Sequence, residues 1–170
     1  HVATAGDTLT FEVMVQSNGQ SIESISAIVD ISSSHYTVIN TSSPFTDLAV
    51  VFTGGTVVEN SFSSNKIRFT KNKSGGEIVG SAQTQKRLAS FQVVLKSGFS
   101  GVQPLPFASD AALSITGSAT ALKQSSGLAV QSAQVQAIAR GNLKATVLLE
   151  GRALGNGNHS TLLDVHLRKP

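Results

Sequence analysis

Residues 6–16, Gly-Asp-Thr-Leu-Thr-Phe-Glu-Val-Met-Val-Gln, constrain the fold more than any other stretch. In an extended chain Leu9, Phe11, Val13 and Val15 share one face, and Thr8, Thr10, Glu12, Met14 and Gln16 share the other. That alternation is the pattern of a strand with one buried and one wetter side. Gly6-Asp7 before it and Ser17-Asn18-Gly19 after it are turn signals. No segment carries a sustained apolar repeat at helical spacing, so the chain reads as all-β.

The alternation recurs along the chain. Ile25, Ala27, Val29 and Ile31 oppose Ser24, Ser26, Ile28 and Asp30. Residues 36–39 form a short strand. Residues 48–52 and 56–59 flank Gly54-Gly55, which predicts a hairpin. Ile67 and Phe69 face inward, with Lys66, Arg68 and Thr70 outward. Residues 71–85, polar and Gly-containing, read as a connection. Ala89, Phe91, Val93 and Leu95 mark a strong strand over 87–96. Pro104 and Pro106 keep their stretch out of a central ladder. Leu113 and Ile115 point inward in a short strand, 120–127 reads as a loop, and 130–138 as a last strand. Turn signals about every ten residues are the spacing of a β-sandwich.

Residues 139–170 differ. Leu143, Ala145, Val147 and Leu149 share one strand face, and Leu163, Val165 and Leu167 share another. A lone two-stranded hairpin is marginal in water. This extension therefore docks on its own sandwich, begins a second module, or is donated to a neighbouring subunit.

Composition narrows the function. At 170 residues the chain suits one sandwich with an appendage. Charged residues are only 14%, and Ser, Thr, Gly and Ala fill the difference, which suits an extracellular protein. Without cysteine there are no disulfides or thiolate metal sites. A net charge of +3, with Lys66, Arg68, Lys71 and Lys73 beside one inward Phe69, is no nucleic-acid footprint. No apolar run is long enough to span a bilayer, so no membrane insertion is expected. The chain opens at His1, as a processed chain or an excised piece would.

Catalytic patterns are missing. There is no Gly-x-Ser-x-Gly elbow. The carboxylates are scattered, and no Asp-x-Asp-x-Asp calcium spacing occurs. His159, Asp164 and His166 lie on a loop and one strand face and read as solvated. The expectation is a non-enzymatic chain with no cofactor. Asn40, Asn72 and Asn158 open Asn-x-Ser/Thr glycosylation patterns. With no Trp and one Tyr, a sugar-stacking face is disfavoured, leaving a carbohydrate-binding or spacer domain a minor reading.

Residues 1–138 resemble a cohesin domain. The cues are Gly6-Asp7-Thr8 opening an alternating strand, the long strand to Ile31, and Tyr36-Thr-Val-Ile39. Lys66-Ile-Arg-Phe69, Leu88-Ala-Ser-Phe-Gln-Val93 and the turn Lys96-Ser97-Gly98 complete the order. The resemblance implies a nine-stranded jelly-roll sandwich that binds a calcium-loaded dockerin on one sheet face. From cohesin strand positions, that face carries Ser24, Ser26, Asp30, Arg68 and Thr70. The chain departs from the pattern at Ser32-Ser33, where cohesins have Asp-Pro, and in the few residues before Gly6. The 139–170 extension is similar to the start of another bacterial surface-protein module.

These readings place the chain outside the cell or at its surface, as a protein–protein assembly module. The first expectation is a filament subunit. Leu143, Ala145, Val147, Leu149, Leu163, Val165 and Leu167 enter a neighbour beside residues 2–4 and 9–15, by strand addition to an exposed sheet edge. The alternative is a receptor for a dockerin-like partner.

Overall fold

The computed structural model describes residues 2–48, 50–80 and 84–137. Among the described residues there are twelve strands, several of only two or three residues, where the resemblance implies nine. In chain order they are β1 (Val2–Ala3), β2 (Thr8–Val15), β3 (Ser21–Asp30), β4 (Tyr36–Val38), β5 (Phe45–Asp47) and β6 (Thr56–Ser63). There follow β7 (Lys66–Ile78), β8 (Lys86–Leu95), β9 (Val102–Leu105), β10 (Ala112–Ile115), β11 (Leu122–Lys123) and β12 (Ala133–Ala137). The only helix among the described residues is a 3-10 turn, Gln124–Ser126.

The strands form a five-stranded sheet ordered β11-β10-β3-β7-β6 and a four-stranded sheet with path β2-β8-β4, on which β5 also pairs with β8. A three-stranded sheet, β1-β12-β9, holds a parallel β1–β12 pair. The alternation of residues 6–16 is realised: Phe11, Val13 and Val15 are buried, and Thr8, Thr10, Glu12 and Met14 are exposed. Phe11, Val13, Phe91 and Val93 from the four-stranded sheet meet Ile25, Ala27, Val29, Ile67 and Phe69 from the five-stranded sheet in one continuous cluster. Each such fully buried side chain stabilises the fold by about 1.5–3 kcal/mol. Phe45 joins the layers, with ring centroids 5.3 Å from both Phe69 and Phe91. Tyr36 packs edge-on to Phe99 at 5.6 Å, and burial pushes its phenol up to about 12.

Four expectations are corrected. Gly54-Gly55 does not join a 48–52 strand to β6. Val51 and Phe52 are fully buried plugs of the core, while the residues that form β5 are Phe45–Asp47. Gly55 instead closes a tight turn onto the Phe52 carbonyl, where an added Cβ would sit 2.5 Å from the Asn72 carbonyl oxygen. The true hairpin joins β6 to β7 through Ser64 and Asn65, both at positive φ.

Residues 71–85 are not simply a connection either, because β7 continues to Ile78. Its ladder with β3 steps from Ser24↔Asn72 to Ile22↔Glu77, and the intervening residues bulge. Gly75 and Gly76 make that bulge possible at φ 77° and 69°. Lys71, within this stretch, points inward at 2% exposure and pairs with Asp47 at 2.9 Å. The 120–127 loop contains β11, and the last strand starts three residues later than expected, at Ala133. The C-terminal two-strand extension, 139–170, lies outside the described residues.

Candidate functional site: the outer face of the five-stranded sheet

The central pair β3 and β7 has long alternating stretches, so its outward side chains form regular rows. Cross-strand neighbours are Ser26 and Thr70, Ile28 and Arg68, and Asp30 and Lys66, with Ser24 opposite Asn72. Flanking strands widen the rows. On β6, Glu59, Ser61 and Ser63 stand opposite Thr70, Arg68 and Lys66. On β10, Ala112 and Ser114 stand opposite Ser26 and Ser24. The five residues Ser24, Ser26, Asp30, Arg68 and Thr70 therefore stand on one face of the sheet.

The face has two halves. One is a patch of short polar side chains. Ser26 and Thr70 hydroxyls bond at 2.9 Å, and the Ser24 hydroxyl donates to Asn72 Oδ1 at 2.6 Å. Short side chains on a flat sheet lose little rotamer freedom on burial, and every hydroxyl can both donate and accept. The other half is charged. Lys66 Nζ lies 3.1 Å from Asp110 and 3.9 Å from Asp30. Arg68 donates to the Ser63 hydroxyl at 3.1 Å. Partial burial pushes the Asp110 carboxyl up. The Lys66 hydrogen bond, a backbone hydrogen bond and the Lys66 and Arg68 charges outweigh it and hold the group below its usual 3.8.

Ile28 stands between these halves. It points outward yet is only 6% exposed, because Ala108 and Ala111 cover it. The covering turn is pinned to the β3 edge: Ala108 N donates to Ile28 O at 2.8 Å, and Asp30 N to Pro106 O at 3.0 Å. The same turn delivers Asp110 to Lys66.

Asn72, Lys66, Ser61, Ser114 and Asp110 also belong to the face. Alternation from Thr70 would have found Asn72, had residues 71–85 not been read as a connection. Asp110 comes from a turn, and no strand period signals it. Asn40 is exposed in a turn, and Asn72 is exposed on the face itself. Asn158 and all seven apolar residues of the extension, from Leu143 to Leu167, lie outside the described residues. Of the acceptor edges expected for them, β1 is paired on one side by β12, in register Val2↔Gln136 and Ala3↔Ala137. The strand β2 has β8 as its sole strand neighbour among the described residues. No group of three metal-ligating side chains forms among the described residues.

The path of the sheets and the rows on their faces can be set beside known structures. The seventh ScaB type I cohesin from Pseudobacteroides cellulosolvens superposes with a TM-score of 0.56 at 15% identity, over 84% of this chain and 90% of that one. The third ScaC cohesin, in complex with the ScaB dockerin from Acetivibrio cellulolyticus, gives 0.53 at 13% identity, over 81% and 96%. The chain has a cohesin-like fold. A further match is the sixth cohesin of scaffoldin B from Acetivibrio cellulolyticus, in complex with a Cel5 dockerin. Its TM-score is 0.51 at 15% identity, over 81% of this chain and 93% of that one. No protein-family model and no curated protein matches the chain. In this cohesin-like sandwich the resemblance seen in residues 1–138 is thus carried by topology at an identity too low to fix a partner.

Proposed function

We propose that this cohesin-like domain is a non-catalytic protein–protein interaction module. It binds a calcium-loaded, dockerin-like partner on the outer face of the five-stranded sheet, outside the cell or at its surface. The observation that carries the reading is the meeting of Ser24, Ser26, Asp30, Arg68 and Thr70 on one face of a sandwich with a cohesin-like fold. Two of the structural neighbours are cohesins in complex with dockerins. Five strands at about 4.8 Å spacing make a platform roughly 20 Å across. Its hydroxyl half fits close packing of backbone against backbone, and the Arg68 and Lys66 half offers charge-assisted hydrogen bonds. The centre of the platform presents hydroxyls and charges, which suits a protein surface better than a sugar ring. No helix among the described residues is long and apolar enough to cross a membrane.

Calorimetric titration with a panel of dockerins, with calcium and with chelator, tests this. Binding to at least one of them that chelator abolishes is the expected result. Calcium-independent binding, or none across the panel, would reject the reading. Self-assembly through the extension is a second reading, favoured by the place of β2 at the end of its sheet's path among the described residues.

A further inference from the structure

The five-stranded sheet ends in β6, which has β7 as its sole strand neighbour among the described residues. The β6–β7 turn fixes which backbone groups of β6 look outward. Ser64 and Asn65 hold φ of 51° and 58°, as a two-residue type I′ turn requires. In such a hairpin the closing pair, here Ser63 and Lys66, exchanges both of its main-chain hydrogen bonds, and the pattern alternates from there. Glu59, Ser61 and Ser63 therefore turn their N–H and C=O groups to β7, and Asn60 and Phe62 turn theirs to the other side. Residues 59–63 contain neither Pro nor Lys, the residues that commonly blunt a sheet edge. The stretch is also held in place from beneath. Phe45 N donates to Asn60 Oδ1 at 2.9 Å, and Asn60 Nδ2 donates to Phe45 O at 2.7 Å.

The outer face of this edge carries one charge of each sign. Glu59 stands opposite Thr70, and Arg68 opposite Ser61, so the two are diagonal neighbours on adjacent strands. Each is held by a serine of β6 rather than by the other. Arg68 donates to the Ser63 hydroxyl at 3.1 Å, and Glu59 accepts from the Ser61 hydroxyl at 2.9 Å. On the inner side Phe62 packs against the core but is only partly buried.

We infer that β6 pairs with β6 of a second copy of the chain, antiparallel about a two-fold axis between the two Ser61 residues. The register follows from the ends of the strand. A bulge between Val57 and Glu59 closes the regular stretch on one side and the turn closes it on the other. Only one register pairs residues 59–63 wholly with themselves. It sets Ser61 opposite Ser61, Asn60 opposite Phe62 and Glu59 opposite Ser63. The outward groups of Asn60 and Phe62 then exchange both main-chain bonds, once on each side of the axis. Glu59 of the second copy arrives beside Ser63, the residue that positions Arg68, so each copy sets its carboxylate against the other's guanidinium. Phe62 loses its open side to the added strand. The contact is isologous and closes at two subunits, unlike the open-ended contact that strand addition through the extension would make. It does not depend on the dockerin reading.

The test uses the full chain. Five paired residues make a small contact, so sedimentation velocity is run from about 10 µM to about 1 mM, the range of weak association. A reversible monomer–dimer equilibrium is expected. E59R and R68E alone each set like charges together across the axis and are expected to weaken dimerisation about tenfold or more. The double variant E59R/R68E restores opposite charges and is expected to dimerise like the parent. Both side chains point outward, so all three variants should melt with the parent. In the parent, the Asn60 and Phe62 amides are expected to exchange more slowly as concentration rises, while the Ser61 amide, already bonded to β7, does not change. A chain that stays monomeric at every concentration would overturn the inference. So would a dimer that both single variants leave intact, a double variant that stays monomeric, or Asn60 and Phe62 amides that exchange at one rate throughout.

Discussion

The sandwich has two outer faces of similar chemistry and different build. On the four-stranded sheet, Thr10 accepts from Gln92 at 3.0 Å, and Arg87 pairs with Glu12 at 3.2 Å. The Gln92, Arg87 and Glu12 side chains are long and stand off the sheet, and the edge strand β2 has β8 as its sole strand neighbour among the described residues. On the five-stranded sheet one half of the central rows is short and polar, with Ser24, Ser26, Thr70 and Asn72 held between strands on both sides. Polarity alone does not separate the two. What separates them is relief: short side chains in a wide, doubly flanked sheet let a partner backbone come close, whereas long ion-paired side chains hold it away and must be ordered first.

Both faces rest on one core, so the largest effect should strike them together. Phe45 touches Phe69 beneath one face and Phe91 beneath the other. Phe45→Ala is expected to cost about 3–5 kcal/mol, read as a fall in the denaturant midpoint with an unchanged slope. A loss below about 1 kcal/mol would mean that the two layers do not share this aromatic bridge.

A face-specific pair of substitutions separates them next. Ser26→Arg puts a long cation into the centre of the five-stranded face, and Thr10→Arg does the same on the other. Both positions point outward, so both variants should melt with the parent. Ser26→Arg is expected to weaken dockerin binding about 100-fold, near 2.7 kcal/mol, while Thr10→Arg leaves it within about twofold. Equal losses, or a larger loss for Thr10→Arg, would move the interaction surface to the four-stranded sheet.

How much of this was readable beforehand follows from the period of each strand. β2, β3 and β8 are antiparallel and half-buried, and such strands print a period of two. Their inward residues could be named one by one. The face residues needed more, because Ser26 and Thr70 are ordinary outward residues until pairing sets them side by side, and the cohesin resemblance supplied that pairing. Reading failed where the chain breaks period. Val51 and Phe52 look like strand residues but are buried as a plug. Gly75-Gly76 looks like a loop but is a bulge that lets β7 run on. Ile28 reads as an exposed apolar residue because its cover arrives from Ala108 and Ala111, far along the chain.

That bulge gives the third prediction. A Cβ on Gly76 would run into the hydroxyls of Ser21 and Thr116, and its φ of 69° disfavours any side chain. Gly76→Ala is expected to cost about 1–3 kcal/mol, and by loosening the β3–β7 register near Ser24 it should weaken binding on the five-stranded face alone. Chemical denaturation and titration of the same variant check both parts. An unchanged midpoint would show that the bulge can be rebuilt without glycine.

The smallest effect concerns the charged half of the face. The Asp110 carboxyl sits below 3.8 in the folded chain because Lys66 and Arg68 favour its ionised form more than partial burial opposes it. With the folded value lower than the unfolded one, the unfolded chain binds more protons between the two values. The contribution of Asp110 to stability is therefore fully present above 3.8 and is lost as pH falls through the lower folded value. The pair is exposed, at 28% for Lys66 and 47% for Asp110, so solvent screening keeps its worth under about 1 kcal/mol. Asp110→Asn lacks this titration. Denaturation at about pH 6 should show the parent more stable than Asp110→Asn, with the gap narrowing as pH falls below 3.8. Added salt at the higher pH should narrow the gap too. A gap that widens on acidification would mean that Asp110 is held up rather than down in the folded chain. The turn over Ile28 would then carry a buried acid instead of an ion pair at the rim of the five-stranded face.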